Sequence, residues 1–215
     1  MKVSFIRRLW VTISSSVIGF YASFLNRFQV VGTENIPASG GVLFAANHIS
    51  GYDTVFIPAA VLRKHPWQMT WAPAKEELFE NPLVGAIYRS WGAFPVKRGR
   101  DIRAGKHLGD LLQTQKVMLF PEGTRHKDGK LGPGNRGVGK LIYEHHPVVI
   151  PTALSGINQW KFLRFGQQGR INFGAPIDFS DLFELEDKKA THILIVERVM
   201  SAIAAGLDEP GSKEE

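Results

Sequence analysis

"GVLFAANHISGYDTVFIPAAVLRK", residues 41 to 64, changes character twice within 24 positions. Residues 41–46 form an unbroken apolar run of the length of a fully buried strand, and residues 54–64 have the length and composition of a helix following it. Between them His48 and Asp53 stand five apart across Ile-Ser-Gly-Tyr. On a regular helix such residues point about 140° away from each other. Direct contact therefore needs a turn, and Gly51 is free to adopt the positive φ that a turn can require. The stretch reads as strand, turn and helix, with the histidine over the strand's end and the aspartate in the helix's first turn.

The same alternation continues along the chain. "WQMTWAPA" (67–74) reads as a strand and "ELFENPLVGAIYRSW" (77–91) as a helix, with Pro82 near a helix start. "AFPVKR" (93–98) is extended, "IRAGKHLGDLLQT" (102–114) has helical spacing, and "KVMLF" (116–120) is a strand. "GKLIYEHH" (139–146) reads as a helix, "VVIPTAL" (148–154) as a strand and "THILIVERVMSAIAAGL" (191–207) as a long terminal helix. Nearly all-apolar strands separated by helices predict the α/β class, a single domain whose mostly parallel central sheet is flanked by helices. At 215 residues and 44% hydrophobic content the chain suffices for one core. The expected organisation is an N-terminal apolar helical segment over 1–30, a globular domain over 31–208 and a polar tail over 209–215.

Residues 9–25, "LWVTISSSVIGFYASFL", carry no charge and are flanked by Arg7, Arg8 and Arg27. Seventeen residues is the short limit for a bilayer span. Trp10, Phe20, Tyr21 and Phe24 suit the headgroup level, so a monotopic membrane-anchoring helix is expected. A buried core helix, a signal peptide and a true span are the alternatives. The chain has 26 Lys plus Arg against 20 Asp plus Glu, a net charge of +6. That balance favours an anionic partner: a nucleic acid, a membrane surface or a phosphorylated small molecule. With no cysteine, disulfides, thiolate zinc sites and cysteine nucleophiles are excluded.

In α/β sheets, ligands gather at the carboxyl edge of the strands. Three polar clusters fall there: His48, then Glu122, Gly123, Thr124 and Arg125, then Lys97 and Arg98. A histidine that takes a proton from an alcohol works better when a carboxylate holds its other ring nitrogen. Against this stands the plainer view that Asp53 is a helix N-terminal acid favoured by the macrodipole and His48 a polar loop residue. In the second cluster Arg125 is suited to clamp a phosphate and Glu122 to accept from a hydroxyl.

Other patterns are decoys. "GPGNRG" (132–137) and "GNRGVGK" (134–140) imitate nucleotide loops, but no strand directly precedes them and Leu141 stands where magnesium binding needs Ser or Thr. They read as a flexible glycine-rich loop, with Arg136 a candidate phosphate contact. His145 and His146 at a helix end suit the dipole, and no metal is expected. "NQWKFLRFG" (158–166) interleaves aromatic and basic residues, as single-stranded nucleic-acid sites do.

"NHISGYD" (47–53) and "FPEGTR" (120–125) resemble the first and third sequence blocks of the PlsC-type 1-acyl-sn-glycerol-3-phosphate acyltransferases, a glycerolipid acyltransferase family. "GAFPVKRGR" (92–100) resembles the second block and "VVIPTAL" the fourth, with Pro151 at the matching place. The blocks come in the family's order and cover about residues 30 to 175, although "GNRG" departs from the aromatic and lysine the family often carries there. The resemblance implies that His48 is the catalytic base and Asp53 the carboxylate that orients it. It implies acceptor-phosphate binding by Arg98 and Arg125 and acceptor binding by Glu122 and Gly123. Thr124 is counted with that cluster, and Lys97 is added on charge and position. The sequence does not assign the oxyanion donors; the amides of Ser50 and Gly51, near the histidine, are candidates.

The implied activity moves a fatty acyl group from acyl-CoA or acyl carrier protein to the free sn-2 hydroxyl of lysophosphatidic acid, giving phosphatidic acid. An activated thioester needs no covalent enzyme intermediate, and no cofactor beyond that co-substrate is expected. The expected partners are a lysophospholipid acceptor, an acyl thioester donor and an anionic membrane surface at the cytoplasmic face, not nucleic acid. With a lipid substrate, residues 158–166 read as a segment resting against headgroups or as an ordinary core strand. The alternatives are the same chemistry on another lysophospholipid, glycerol 3-phosphate or other alcohol, or a non-catalytic lipid or nucleic-acid binding module.

Overall fold

The computed structural model describes residues 3–97 and 102–208. Seven strands, β1 (Arg27–Val31), β2 (Val42–Ala46), β3 (Thr70–Lys75), β4 (Ala93–Val96), β5 (Lys116–Leu119), β6 (Val148–Ser155) and β7 (Gln168–Phe173), form one sheet in the order β1-β7-β6-β2-β5-β3-β4. From β6 to β4 all neighbours are parallel; β7 pairs antiparallel with β6, and β1 runs parallel to β7. The sheet is mixed but mostly parallel, as the apolar strands predicted. β2 lies near its middle with all five residues buried, the position a continuous apolar run requires.

The helices are α1 (Phe5–Phe20), continued by a π-helical turn over Tyr21–Leu25, α2 (Asp53–Lys64), α3 (Pro82–Ser90), α4 (Ile102–Leu112), α5 (Arg136–His145), α6 (Ser180–Phe183) and α7 (Lys189–Asp208). Alternate residues of β2 divide the core. Leu43 and Ala45 pack with Leu108 and Leu112 of α4, Ile142 of α5 and Val199 of α7. Val42, Phe44 and Ala46 pack with Phe56, Ile57 and Val61 of α2 on the other face. Close backbone approach is built in: a Cβ on Gly139 of α5 would stand 1.9 Å from the carbonyl oxygen of His192 in α7, so only glycine lets these helices cross so closely.

Several boundaries differ from the sequence expectations. Residues 77–91 are not one helix, because a 3₁₀ turn over Glu76–Phe79 precedes α3. Asn81 caps α3 by accepting from Leu83 N at 3.0 Å and Val84 N at 3.2 Å, with Pro82 in the first turn, where its missing N–H costs nothing. The glycine-rich segment after residue 131 is packed rather than free. Asn135 caps α5 through Gly137 N at 2.8 Å, its own N–H bonds Pro121 O at 2.7 Å, and a Cβ on Gly134 would stand 2.7 Å from Val196. β1 and β7 went unread because "RFQVV" and "QGRINF" are half polar. Residues 158–166 are not a core strand: a 3₁₀ turn over Ile157–Gln159 leads into an exposed loop that keeps only Trp160 buried.

α1 packs along α2 and buries Val11 and Ser15, while the turn after it buries Ala22. It leaves Phe5, Ile6, Trp10, Ile13, Val17 and Phe20 exposed. Its 16 α-helical residues measure about 24 Å, short of the roughly 30 Å hydrocarbon core. Among the described residues only α7 is long and apolar enough to cross a bilayer, yet its Ile195, Val199 and Ile203 face the core. The polar tail, 209–215, lies outside the described residues.

Candidate active site

The site is built where β2 ends. Asn47 is completely buried and behaves as an extra rung of the sheet: its Nδ2 donates to Leu154 O at 2.9 Å, and its Oδ1 accepts from Leu154 N at 2.7 Å. This fixes the residue before His48 in register with β6. The chain then turns through Ile49 to Tyr52, and α2 opens at Asp53. The Asp53 carboxylate folds back over that turn. Its Oδ2 accepts from Ile49 N at 2.7 Å and Ser50 N at 2.8 Å and lies 2.8 Å from His48 Nδ1. Asp53 is fully buried at a helix N-terminus, where backbone amides and the helix dipole favour the anion.

With Nδ1 facing a carboxylate, the neutral imidazole is assigned its proton there, leaving the Nε2 lone pair as acceptor. The side chain is 14% exposed, enough for a reagent to reach its edge. Phe120 stacks on the ring at 4.0 Å and 15°, fixing its plane. At the end of the turn, where Tyr52 packs against Phe56 and Trp160, burial and, second, the proximity of Tyr21 push its phenol above the ordinary value of 10.0, so it stays a neutral donor.

The second cluster follows β5, the strand next to β2. Glu122 Oε2 accepts from His48 N at 2.7 Å and Oε1 from Gly132 N at 2.8 Å, while His126 N donates to His48 O at 2.7 Å. Glu122 thus holds the histidine's own backbone, and each of its carboxylate oxygens already has a backbone donor. Gly123 sits at φ 68°, a left-handed conformation glycine adopts without strain. Thr124 and Arg125 are exposed. The Arg125 guanidinium reaches over the turn, with its two terminal nitrogens 3.8 and 3.9 Å from where a Gly51 Cβ would stand.

Lys97 is exposed just after β4, three strands from β2 and so about 14 Å away at the usual strand spacing. Arg98 lies outside the described residues. The structure therefore brings His48, Asp53, Glu122, Gly123 and Arg125 to one place and sets Lys97 at the rim. Asn47, Phe120 and Gly132 were missed by the sequence reading; an Asn immediately before the histidine at a strand end was the one visible signal. A polar cleft of about 560 Å³ opens beside Ile49, walled by Asp128, Gly129, Ser155, Asn158, Arg164 and Gln168.

A buried aspartate holding a histidine over a strand's carboxyl edge, with an arginine above the turn, is a setting for proton abstraction beside an anionic substrate. Residues 27–155, from β1 to β6, match the Acyltransferase family model, and the chain belongs to that family. It is 29% identical over 175 residues to a chloroplastic 1-acyl-sn-glycerol-3-phosphate acyltransferase of Brassica napus, covering 79% of this chain and 46% of that protein. It is 28% identical over 165 residues to the 1-acyl-sn-glycerol-3-phosphate acyltransferase of Bacillus subtilis, covering 75% and 79%. The chain spans slightly under half the length of the matched plant relatives from Brassica napus and Arabidopsis thaliana. The crystal structure of the 1-acyl-sn-glycerophosphate acyltransferase PlsC from Thermotoga maritima shares the fold, with a TM-score of 0.63 at 19% identity over 97% of this chain and 99% of that one.

Proposed function

We propose that the protein transfers a fatty acyl group from an acyl thioester, acyl-CoA or acyl carrier protein, to the sn-2 hydroxyl of lysophosphatidic acid. The observation that carries the reading is the 2.8 Å contact between His48 Nδ1 and the buried Asp53 carboxylate, which leaves Nε2 as the base. Nε2 takes the acceptor's hydroxyl proton as its oxygen bonds to the thioester carbonyl carbon; the resulting imidazolium is held by Asp53. The C–S bond then breaks, and the proton on Nε2 passes to the leaving thiolate. The amides of Ile49 and Ser50 are committed to Asp53, so Ser50 N is not the oxyanion donor.

Arg125 supports a phosphate-bearing acceptor: its guanidinium hangs over the turn that carries His48, on the solvent side. Lys97, about 14 Å off, suits the outer part of a substrate rather than the phosphate next to the reacting hydroxyl. The exposed apolar face of α1, which carries Arg7 and Arg8 near its start, supports membrane association. Between α1 and α2 an apolar cavity of about 490 Å³, lined in part by Ile18, Phe28, Phe56 and Ala60, has the chemistry of an aliphatic chain.

Thiol release by the purified protein, measured over a panel of lysophospholipids, glycerol 3-phosphate and neutral alcohols, tests the reading. Activity should be greatest with lysophosphatidic acid and fall to background in His48→Ala. Full activity in that variant sinks the mechanism. An acceptor KM that does not rise in Arg125→Ala moves the reading to an acceptor without a phosphate.

A further inference from the structure

Beyond the region matched by the family model, residues 160–166 form a small turn whose side chains are distributed in an unusual way. Phe162, Leu163 and Phe165 are 78%, 65% and 61% exposed, and they alternate with exposed Lys161 and Arg164. Three large apolar side chains at the tip of one turn leave most of their surface in solvent. A floppy loop would satisfy that description, but this one is held. Gln167 staples it from within: its Oε1 accepts from Lys161 N at 2.7 Å, and its Nε2 donates to Lys161 O at 3.1 Å and Arg164 O at 3.0 Å. Leu163 is kept at φ 59°, a left-handed conformation a leucine adopts only when its surroundings impose it.

The turn is also fastened to the end of the N-terminal helix. Gly166 N donates to Leu25 O at 2.9 Å, Gln167 N to Asn26 Oδ1 at 3.0 Å, and the Tyr21 hydroxyl to Arg164 O at 3.3 Å. Trp160 anchors its base, 8% exposed, among Tyr21, Phe28, Tyr52 and Phe56. Phe24, 74% exposed, and Leu25, 36% exposed, belong to that same helix end, and the exposed Arg27 follows them. Apolar tips framed by cations on a preordered turn match a bilayer of anionic phospholipid: the rings enter the acyl boundary while the basic side chains meet the headgroups.

We infer that residues 161–165 form a second membrane-docking element, acting with the end of the N-terminal helix on an anionic phospholipid surface. Preordering means that little conformational entropy remains to be lost on docking. The polar cleft beside Ile49 is walled by Trp160, Arg164 and Phe165, so docking this turn places the cleft at the headgroup layer. The inference rests on the proposed lipid acceptor, and thiol release with a soluble short-chain acceptor reports on that reading separately.

Because the chain has no cysteine, Phe162→Cys and Phe165→Cys can each carry a single environment-sensitive fluorophore, with Glu197→Cys on α7, across the sheet from α2, as control. On vesicles of phosphatidylcholine with phosphatidylglycerol, emission at 162 and 165 should rise several-fold and shift to the blue while that at 197 stays aqueous. Protein that sediments with the vesicles while the probes at 162 and 165 stay aqueous overturns the inference, as does protein that does not sediment. Independently, the double variant Lys161→Glu/Phe162→Ser, melting with the parent, should lower vesicle partitioning by roughly tenfold. Unchanged partitioning overturns the inference.

Discussion

Replacing Asp53 by Asn separates two jobs that one carboxylate performs. An asparagine oxygen in the place of Oδ2 keeps the bonds from Ile49 N, Ser50 N and His48 Nδ1, so the turn retains its geometry. The amide nitrogen then takes the place of Oδ1, which is buried without a partner, and an unpaired buried N–H group costs about 1–3 kcal/mol of stability. What disappears is the negative charge beside the imidazolium formed during transfer. The 2.8 Å contact puts the charge centres about 4 Å apart, and at an effective dielectric constant near 20 their attraction is about 4 kcal/mol. Losing it slows the proton-transfer step by about 10³-fold. Thiol release at saturating acceptor should therefore fall about a thousandfold in Asp53→Asn, while the circular dichroism spectrum is unchanged and melting shifts only modestly. A kcat within tenfold of the parent, in a folded variant, would reduce Asp53 to a clasp for the turn.

Three further perturbations probe the scaffold. Glu122→Gln presents an N–H group to one of the two backbone amides its oxygens now serve, so it should cost about 2 kcal/mol and lower the melting temperature by ~4–8 °C, with a fall in kcat; an unshifted melt contradicts the bridge. Gly139→Ala should destabilise by about 1–3 kcal/mol or more in denaturant titration, because its Cβ meets the His192 carbonyl, although alanine is intrinsically the better helix former; a gain in stability would show that α5 and α7 move apart freely. Arg198, bonded to Asp181 at 2.6 and 2.7 Å, holds that carboxyl below its ordinary 3.8. A depressed carboxyl contributes above its unfolded value and loses that contribution as pH falls through the folded one. The denaturation midpoints of Asp181→Asn and parent should therefore differ at pH 7 and converge as the pH is taken below 3.8.

Much of the fold was legible because its central strands are apolar on both faces, a pattern that solvent-exposed strands do not allow. β2, β5 and β6 were placed within a residue or so, as was α2 behind β2. β1 and β7 escaped because they alternate polar and apolar residues and their pairing is set by partners far away in sequence. The break at Asn81 and Pro82 was half legible: the proline was seen, the cap was not. In the site, the fold-back of Asp53 onto His48 follows from the spacing, but not through the glycine: Gly51 does not take the positive φ expected of it, and the turn is closed by the Asp53 carboxylate on the amides of Ile49 and Ser50. Glu122 does not follow from spacing. Its type and place at a strand end suggested a substrate contact, while its contacts are with the amides of His48 and Gly132, and only the three-dimensional approach of two loops determines that. Trp160 was read within a basic-aromatic stripe, yet it is the buried foot of the turn rather than part of its surface.

The reversal of one strand pair has a consequence for traffic. Because β7 runs against β6, and β1 runs with β7, Arg27 at the start of β1 lies at the same edge of the sheet as the carboxyl ends of β6 and β2. The end of the N-terminal helix and the histidine therefore share one rim of the molecule instead of facing opposite poles. For a lipid acceptor and a lipid product, substrate capture and product release become lateral diffusion in two dimensions, and only the water-soluble thiol carrier has to arrive and leave through the bulk.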